Sequence, residues 1–178
     1  QSFQQSAGMI TTQAKQKLTQ STLRVGSLLP ILAILDEFGS DSEEVLDAAG
    51  INPSLIDDPD LLVPYEARAT LIARSVEATG CDHFGLLVGQ QIDLCSLGLP
   101  GMLARSMPDV ETALRTLQKY FSAHTTGAAL ELEIDGDIAT LSYAFLTPPD
   151  EATDQLGAGA VAGLLNVLHS LCGPEFQA

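Results

Sequence analysis

Apolar residues recur at helical spacing most clearly over residues 110–121. Val110, Ala113, Leu114, Leu117, Tyr120 and Phe121 fall at i, i+3, i+4, i+7, i+10 and i+11, which makes one continuous apolar face. Glu111, Arg115 and Gln118 point the other way, with Glu111 one turn ahead of Arg115, the favourable order for a helical ion pair. The run before it, Leu97-Gly98-Leu99-Pro100-Gly101-Met102-Leu103, is too apolar for a solvent loop, and its glycines read as close-packing points that seat the helix. Upstream, Leu28, Leu29, Ile31, Leu32, Ile34, Leu35 and Phe38 predict a buried helix stopped by Gly39. Asp41 and Glu44, at capping-box spacing, start a second helix that Gly50 ends. Pro64, read as a first helical position, opens a helix to Thr79, with Tyr65, Ala69, Ile72 and Val76 as its buried stripe and Gly80 as its stop. Asp82–Gly89 reads as one more short helix.

After Gly127 the period changes from 3.6 to 2. Ala128, Leu130, Leu132 and Ile134 alternate with Ala129, Glu131 and Glu133, and Asp135-Gly136 is a strong hairpin signal. The return strand carries Ala139, Leu141, Tyr143 and Phe145 on one face, and a two-residue turn lays Leu130 and Leu132 beside Leu141 and Ala139. A long helix follows from Ala152 to about Cys172, ended by Gly173-Pro174. It has two apolar stripes, Leu156/Ala160/Leu164/Val167/Leu171 and Val161/Leu165/Leu168/Cys172, with Asn166, His169 and Ser170 opposite. The second stripe is free for a partner subunit through Val161, Leu165 and Leu168, or for a missing part of the fold. The expected fold class is α+β: a helical N-terminal layer packed on an antiparallel β-hairpin or small sheet, with a long C-terminal helix. A hairpin alone is marginal in water, and the sequence ends where another strand would begin, so the domain is expected to be truncated.

With 178 residues, 46% of them hydrophobic, the chain suffices for one domain with a sizeable core. Residues 1–24 are rich in Gln, Ser and Thr and hold Lys15, Lys17 and Arg24 but no acid, so a flexible arm of charge +3 is expected there. Gln1 is not a natural start and Met9 could be one, which would make residues 1–8 an appended leader. Residues 25–178, the globular part, have 5 basic and 23 acidic groups, or −18. Such a body repels a phosphate backbone, so any action on DNA must fall to another segment. Cys81, Cys95 and Cys172 are an odd set without Cys-x-x-Cys spacing, as expected of reduced thiols. No apolar run approaches the roughly 20 residues of a membrane span, and no secretory signal pattern opens the chain. A cytoplasmic protein that does not engage a membrane is the expectation.

Candidate chemistry is sparse. Residues 42–56 imitate a helix-turn-helix at Ala48-Ala49-Gly50-Ile51, but Glu43, Glu44 and Asp47 give a reading helix the wrong sign for phosphate. Cys81-Asp82-His83 lacks a second ligand pair for a metal, and Asp82 reads as the cap of the next helix. Cys95 or Cys172 as a nucleophile needs a histidine base, and no local motif pairs His83, His124 or His169 with either. No Gly-x-Ser-x-Gly, phosphate loop or dinucleotide fingerprint occurs. Neither a catalytic residue, nor a metal, nor a cofactor is expected. Tyr120 and His124 at the end of the central helix, with Tyr143 and Phe145 on the hairpin, line the place where a pocket between helices and sheet would open. Arg68 and Arg105 are candidates to hold an anionic ligand, with surface salt bridges as the simpler reading.

Several stretches stand in a fixed order: Leu29-Pro30, the run from Val45 to Asp60, Val63-Pro64-Tyr65, Phe84-Gly85-Leu86 with Gly89, Leu97-Gly98-Leu99 with Gly101, Ala113-Leu114 with Tyr120, and Gly173-Pro174. Together they resemble the ligand-sensing N-terminal domain of AraC-type bacterial transcription regulators, the arabinose-binding-domain-like branch. Met107-Pro108-Asp109 departs from the small residue, Pro and Thr common in relatives, but Asp109 caps a helix as Thr would. The resemblance implies a domain over residues 25–178 that senses an unknown small-molecule effector, self-associates as a homodimer, and controls a C-terminal pair of helix-turn-helix motifs. DNA would then be met only through that absent domain. Two alternatives remain beside it: a ligand-independent dimerisation module, and a small thiol hydrolase built on Cys95 or Cys172.

Overall fold

Two hydrophobic clusters, joined by one strand and one helix, make up the fold. The computed structural model describes residues 21–146, 148–173 and 175–176. Most of the expected N-terminal arm, residues 1–20, therefore lies outside the described residues. Its last residues do not form an arm: Thr22–Arg24 is strand β1, with Leu23 fully buried. This strand pairs antiparallel with β2 (Leu62–Pro64), Leu23 opposite Val63. On its other side Leu23 bridges to Thr125, the Thr126 N–H donates to the Thr22 carbonyl at 2.9 Å, and the Arg24 N–H donates to that of His124 at 3.1 Å.

Four helices form the first layer: α1 (Leu29–Glu37), α2 (Ser42–Ala48), α3 (Tyr65–Thr79) and α4 (Phe84–Gln90). Asp41 caps α2 by accepting from the N–H groups of Glu43 and Glu44. Pro64 sits one position before the place the sequence suggested, as the N-cap of α3 and the end of β2. Asp82 does not cap α4; His83 occupies that position without a side-chain bond. The cap comes instead from Gln155 on α7 (Thr153–Cys172), whose Oε1 accepts from the Gly85 N–H at 2.8 Å while its Nε2 donates to the Asp82 carbonyl at 2.7 Å. Asn166, expected on the far side of α7, donates to the Gln90 carbonyl at 2.6 Å and so closes the other end of α4. Two amides of one helix thus bracket another, satisfying orphan groups at both of its ends.

The seam between α4 and α7 is made of glycine. A Cβ on Gly85 would lie 2.1 Å from the Gln155 carbonyl oxygen, and one on Gly89 would lie 2.2 Å from that of Gly159. Of the buried residues of α7, Leu156 and Val167 belong to the first apolar stripe, whereas Gly159, Ala162 and Gly163 lie outside both stripes. Val161 is 69% exposed and Leu165 37%, while Leu168 packs at the edge of the second cluster. With 20 residues and a mean hydropathy of 1.3, α7 meets the length and composition of a membrane span, contrary to the expectation that no stretch does. Its glycine face and both amides are nonetheless engaged by α4.

Helices α5 (Leu99–Arg105) and α6 (Val110–Tyr120) and the hairpin β3 (Ala128–Asp135) and β4 (Ile138–Phe145) build the second cluster. Asp109 caps α6 through the Thr112 N–H at 2.8 Å. The hairpin turn is Gly136-Asp137 rather than Asp135-Gly136: the positive φ of +58° falls on Gly136, the first turn position, where glycine alone is comfortable. Leu132 consequently faces Leu141 and Leu130 faces Tyr143. Moving the turn by one residue shifts each pairing by two, so the apolar residues keep the face that alternation assigned to them. The α+β architecture follows the sequence expectation.

Candidate ligand-binding cavity

The two clusters meet at a small cavity, and three polar side chains reach it from three different elements. Arg68 comes from α3, three residues after Tyr65 and one before Ala69, on the buried face of that helix. It is only 7% exposed, its Nε has no hydrogen-bond partner, and no ion pair reaches it among the described residues. A surface salt bridge was the simpler expectation for this residue, and its burial rules that out.

His124 arrives by a turn. Helix α6 ends at Tyr120, and a single 3-10 turn, Phe121–Ala123, swings the chain inward. The imidazole, 7% exposed, lies tilted against Phe121 with ring centres 5.4 Å apart, and its Nδ1 has no partner. Burial pushes its pKa down to about 3, helped by the positive charges of Arg68 and Arg24, so the ring is neutral at physiological pH. Arg24 itself is ion-paired with Asp60.

Tyr143 enters from β4, edge-on to Phe121 at 6.2 Å, with its hydroxyl 3.2 Å from that of Tyr65. Burial, followed by the neighbouring Tyr143, pushes the Tyr65 hydroxyl well above the usual phenol range, so that hydroxyl stays protonated and available as a donor. The remaining walls are apolar: Ile92, Leu97, Leu117, Phe121 and Leu130 on one side, and the α7 face of Gly159, Ala160, Gly163, Leu164 and Val167 on the other. The space is about 50 Å³, room for one or two waters. No carboxylate lines it. One fixed cation, one neutral imidazole and one phenol in an apolar shell are equipped to bind, and they lack the paired acid and base of a hydrolytic centre.

The other sequence candidates lie elsewhere. Tyr120 is 40% exposed on a surface groove, with the Lys119 ammonium 5.0 Å from its ring centre. Phe145 packs edge-on against Tyr143 and belongs to the first cluster, outside the cavity lining. Arg105 is exposed beside an open groove of about 570 Å³ formed by α5, the start of α6 and the end of α7. Sequence reasoning missed Phe121 as part of the cavity, although it stood on a recognised apolar face. Cys81 is buried, Cys95 and Cys172 are exposed, and none hydrogen-bonds to a histidine among the described residues. No cluster of metal-ligating side chains occurs among the described residues.

Residues 39–178 match the family described as the arabinose-binding domain of AraC transcription regulator, N-terminal. The chain belongs to this family. The matched span contains all three polar cavity residues and the whole of α7. The chain is also similar to the ornithine utilization regulator of Pseudomonas aeruginosa, 24% identical over 147 residues. That alignment takes in 83% of this chain and 43% of the relative, so the chain spans less than half the length of the regulator it matches. Both matches are to transcription regulators and neither is to an enzyme, which places this AraC-type regulatory domain in transcription regulation.

Proposed function

We propose that this domain senses a small-molecule effector in the cavity between α3, the turn after α6, the hairpin and α7, and that it does so as a self-associating cytoplasmic module. The observation that carries the reading is the convergence of Arg68, His124 and Tyr143, from three separate elements, on one buried apolar space. Ordinary core packing gives no reason to place an unpaired guanidinium there. The effector would reach DNA only indirectly, through a separate helix-turn-helix domain, since a chain of net charge −15 is repelled by phosphate.

The size of the cavity supports a mechanism. Small-molecule sites commonly occupy about 300–1,000 Å³, whereas this one holds about 50 Å³. An effector therefore enters only as the hairpin and α7 move apart, and it shifts the equilibrium toward that wider state by its differential affinity for it. Val161 and Leu165 lie exposed on α7 away from the glycine seam and would face a second copy, with Leu168 at the rim of that face, so the same movement alters the dimer. A thermal-shift screen of the chain against acids, amines (ornithine included), sugars and neutral metabolites tests the reading. At least one class should raise the melting temperature in proportion to ligand concentration. A flat response across all classes overturns it in favour of a ligand-independent dimerisation module.

A further inference from the structure

We infer that the effector of this domain is a small monocarboxylate with an apolar body, its carboxylate held by Arg68 and His124. This deepens the sensing proposal above and rests on it. Arg68 carries the first half of the argument. A guanidinium stays charged under all ordinary conditions and offers five donors in a planar fork that matches a carboxylate. Here it is 93% buried, its Nε has no acceptor, and none of the residues lining the cavity is an acid. Buried charges in native proteins are almost always paired, and the missing partner is an anion that none of the described residues supplies.

His124 fixes the charge of that anion. Its ring is neutral, lines the same space and has an unpaired Nδ1, so it contributes one N–H donor and no second cation. The hydroxyls of Tyr143 and Tyr65 lie 3.2 Å apart, and when one donates to the other the second O–H is left free. A single fixed positive charge with neutral donors matches a single negative charge. A dianion would leave one charge uncompensated in an apolar shell, and an amine would add a cation to a site that already has one. The walls define the rest of the molecule, because Leu117, Phe121, Leu130, Leu164 and Val167 offer no polar atom from a side chain and suit an alkyl or aryl body.

The test uses calorimetry and thermal shift on the whole chain with hexanoate, octanoate and benzoate, each beside its uncharged amide and the corresponding amine. The carboxylates are expected to bind at least about tenfold more tightly than their amides, the usual scale for a charge-assisted hydrogen bond. The amines are expected not to bind. Arg68→Met is expected to erase the preference, so that acid and amide bind alike. Amides or amines binding as tightly as the acids to the unaltered chain would overturn the inference, and this arm holds even if the variant does not fold. Unchanged carboxylate affinity in a folded R68M would overturn it as well. If sugars or neutral metabolites bind and carboxylates do not, sensing stands and the carboxylate assignment falls; if no class binds, both fall.

Discussion

Replacing Gly89 by alanine tests the seam on which α7, one wall of the cavity, is hung. The added Cβ would fall 2.2 Å from the Gly159 carbonyl oxygen and 2.7 Å from the Ala162 Cβ, against the 3.4 Å at which ordinary contact begins. Neither neighbour is a flexible side-chain tip, so α7 must retreat by about 1.2 Å, the shortfall at the carbonyl. Overpacking of this kind costs about 1–3 kcal/mol. The retreat also stretches the bonds that Gln155 and Asn166 make to α4, at about 1 kcal/mol each. Alanine returns about 1 kcal/mol through helix propensity. The expected net is a destabilisation of about 2–4 kcal/mol, a large share of the roughly 5–15 kcal/mol that holds a typical domain together. Gly157→Ala is the matched control, since a Cβ there meets nothing within 4 Å and only the propensity gain remains. Urea unfolding followed by circular dichroism should show the midpoint falling by about 1–2 M for Gly89→Ala and rising by up to about 0.5 M for Gly157→Ala. A Gly89→Ala protein that unfolds at or above the wild-type midpoint would refute the backbone contact, and with it the account of how α7 is seated.

Three further tests bear on other parts of the molecule. The folded-state pKa of His124 is held down at about 3 against about 6.5 when unfolded, so between those values only the unfolded chain takes up the proton. Stability is therefore full above pH 6.5 and lost as pH falls, by about 2 kcal/mol between pH 7 and pH 5. His124→Gln should remove most of that slope in urea titrations, and a slope left intact would refute the burial argument. Gln155→Ala and Asn166→Ala should each cost about 1–2 kcal/mol. In a double-mutant cycle the pair should fall short of the sum, because both brace one seven-residue helix; strict additivity would count against the bracket. Val161→Glu, at a side chain 69% exposed, should leave monomer stability within about 0.5 kcal/mol and shift sedimentation toward monomer. Unchanged self-association would remove this face from the dimer proposal.

Much of the fold was legible because its signals are local. Asp41 and Asp109 cap where their spacing said they would, the period-2 stretch after Gly127 is a hairpin, and Gly101 does lie against a neighbouring backbone, the Leu94 carbonyl. The pairing of β1 with β2 was not legible, since strands of three residues are too short to show alternation and Leu23 is the only apolar residue in the first. Leu156 and Val167 of the first stripe on α7 are buried, but the glycine seam was not legible because hydropathy weights leucine while the seam is made by residues without side chains. In the cavity, the placement of Arg68 was legible in spacing: positions 65, 68, 69 and 72 form one helical face, and charge alone argued it outward. Tyr120 fits the same periodicity on α6 but is exposed, because the helix gives way to a 3-10 turn just where its stripe would continue. Phe121 takes the inner position instead.

The hydrogen bonds of β1 impose an order on how this protein can be made. The Thr22 carbonyl accepts from the Thr125 hydroxyl and the Thr126 N–H, more than a hundred residues downstream. At about 5–20 residues per second, a ribosome needs roughly 5–20 s to deliver those partners after Thr22 has emerged. Through that interval β2 is already available to one edge of β1, opposite Val63, while the edge that meets Thr125 has no partner. Closure of that second edge therefore comes late in synthesis, after the first layer of helices has emerged.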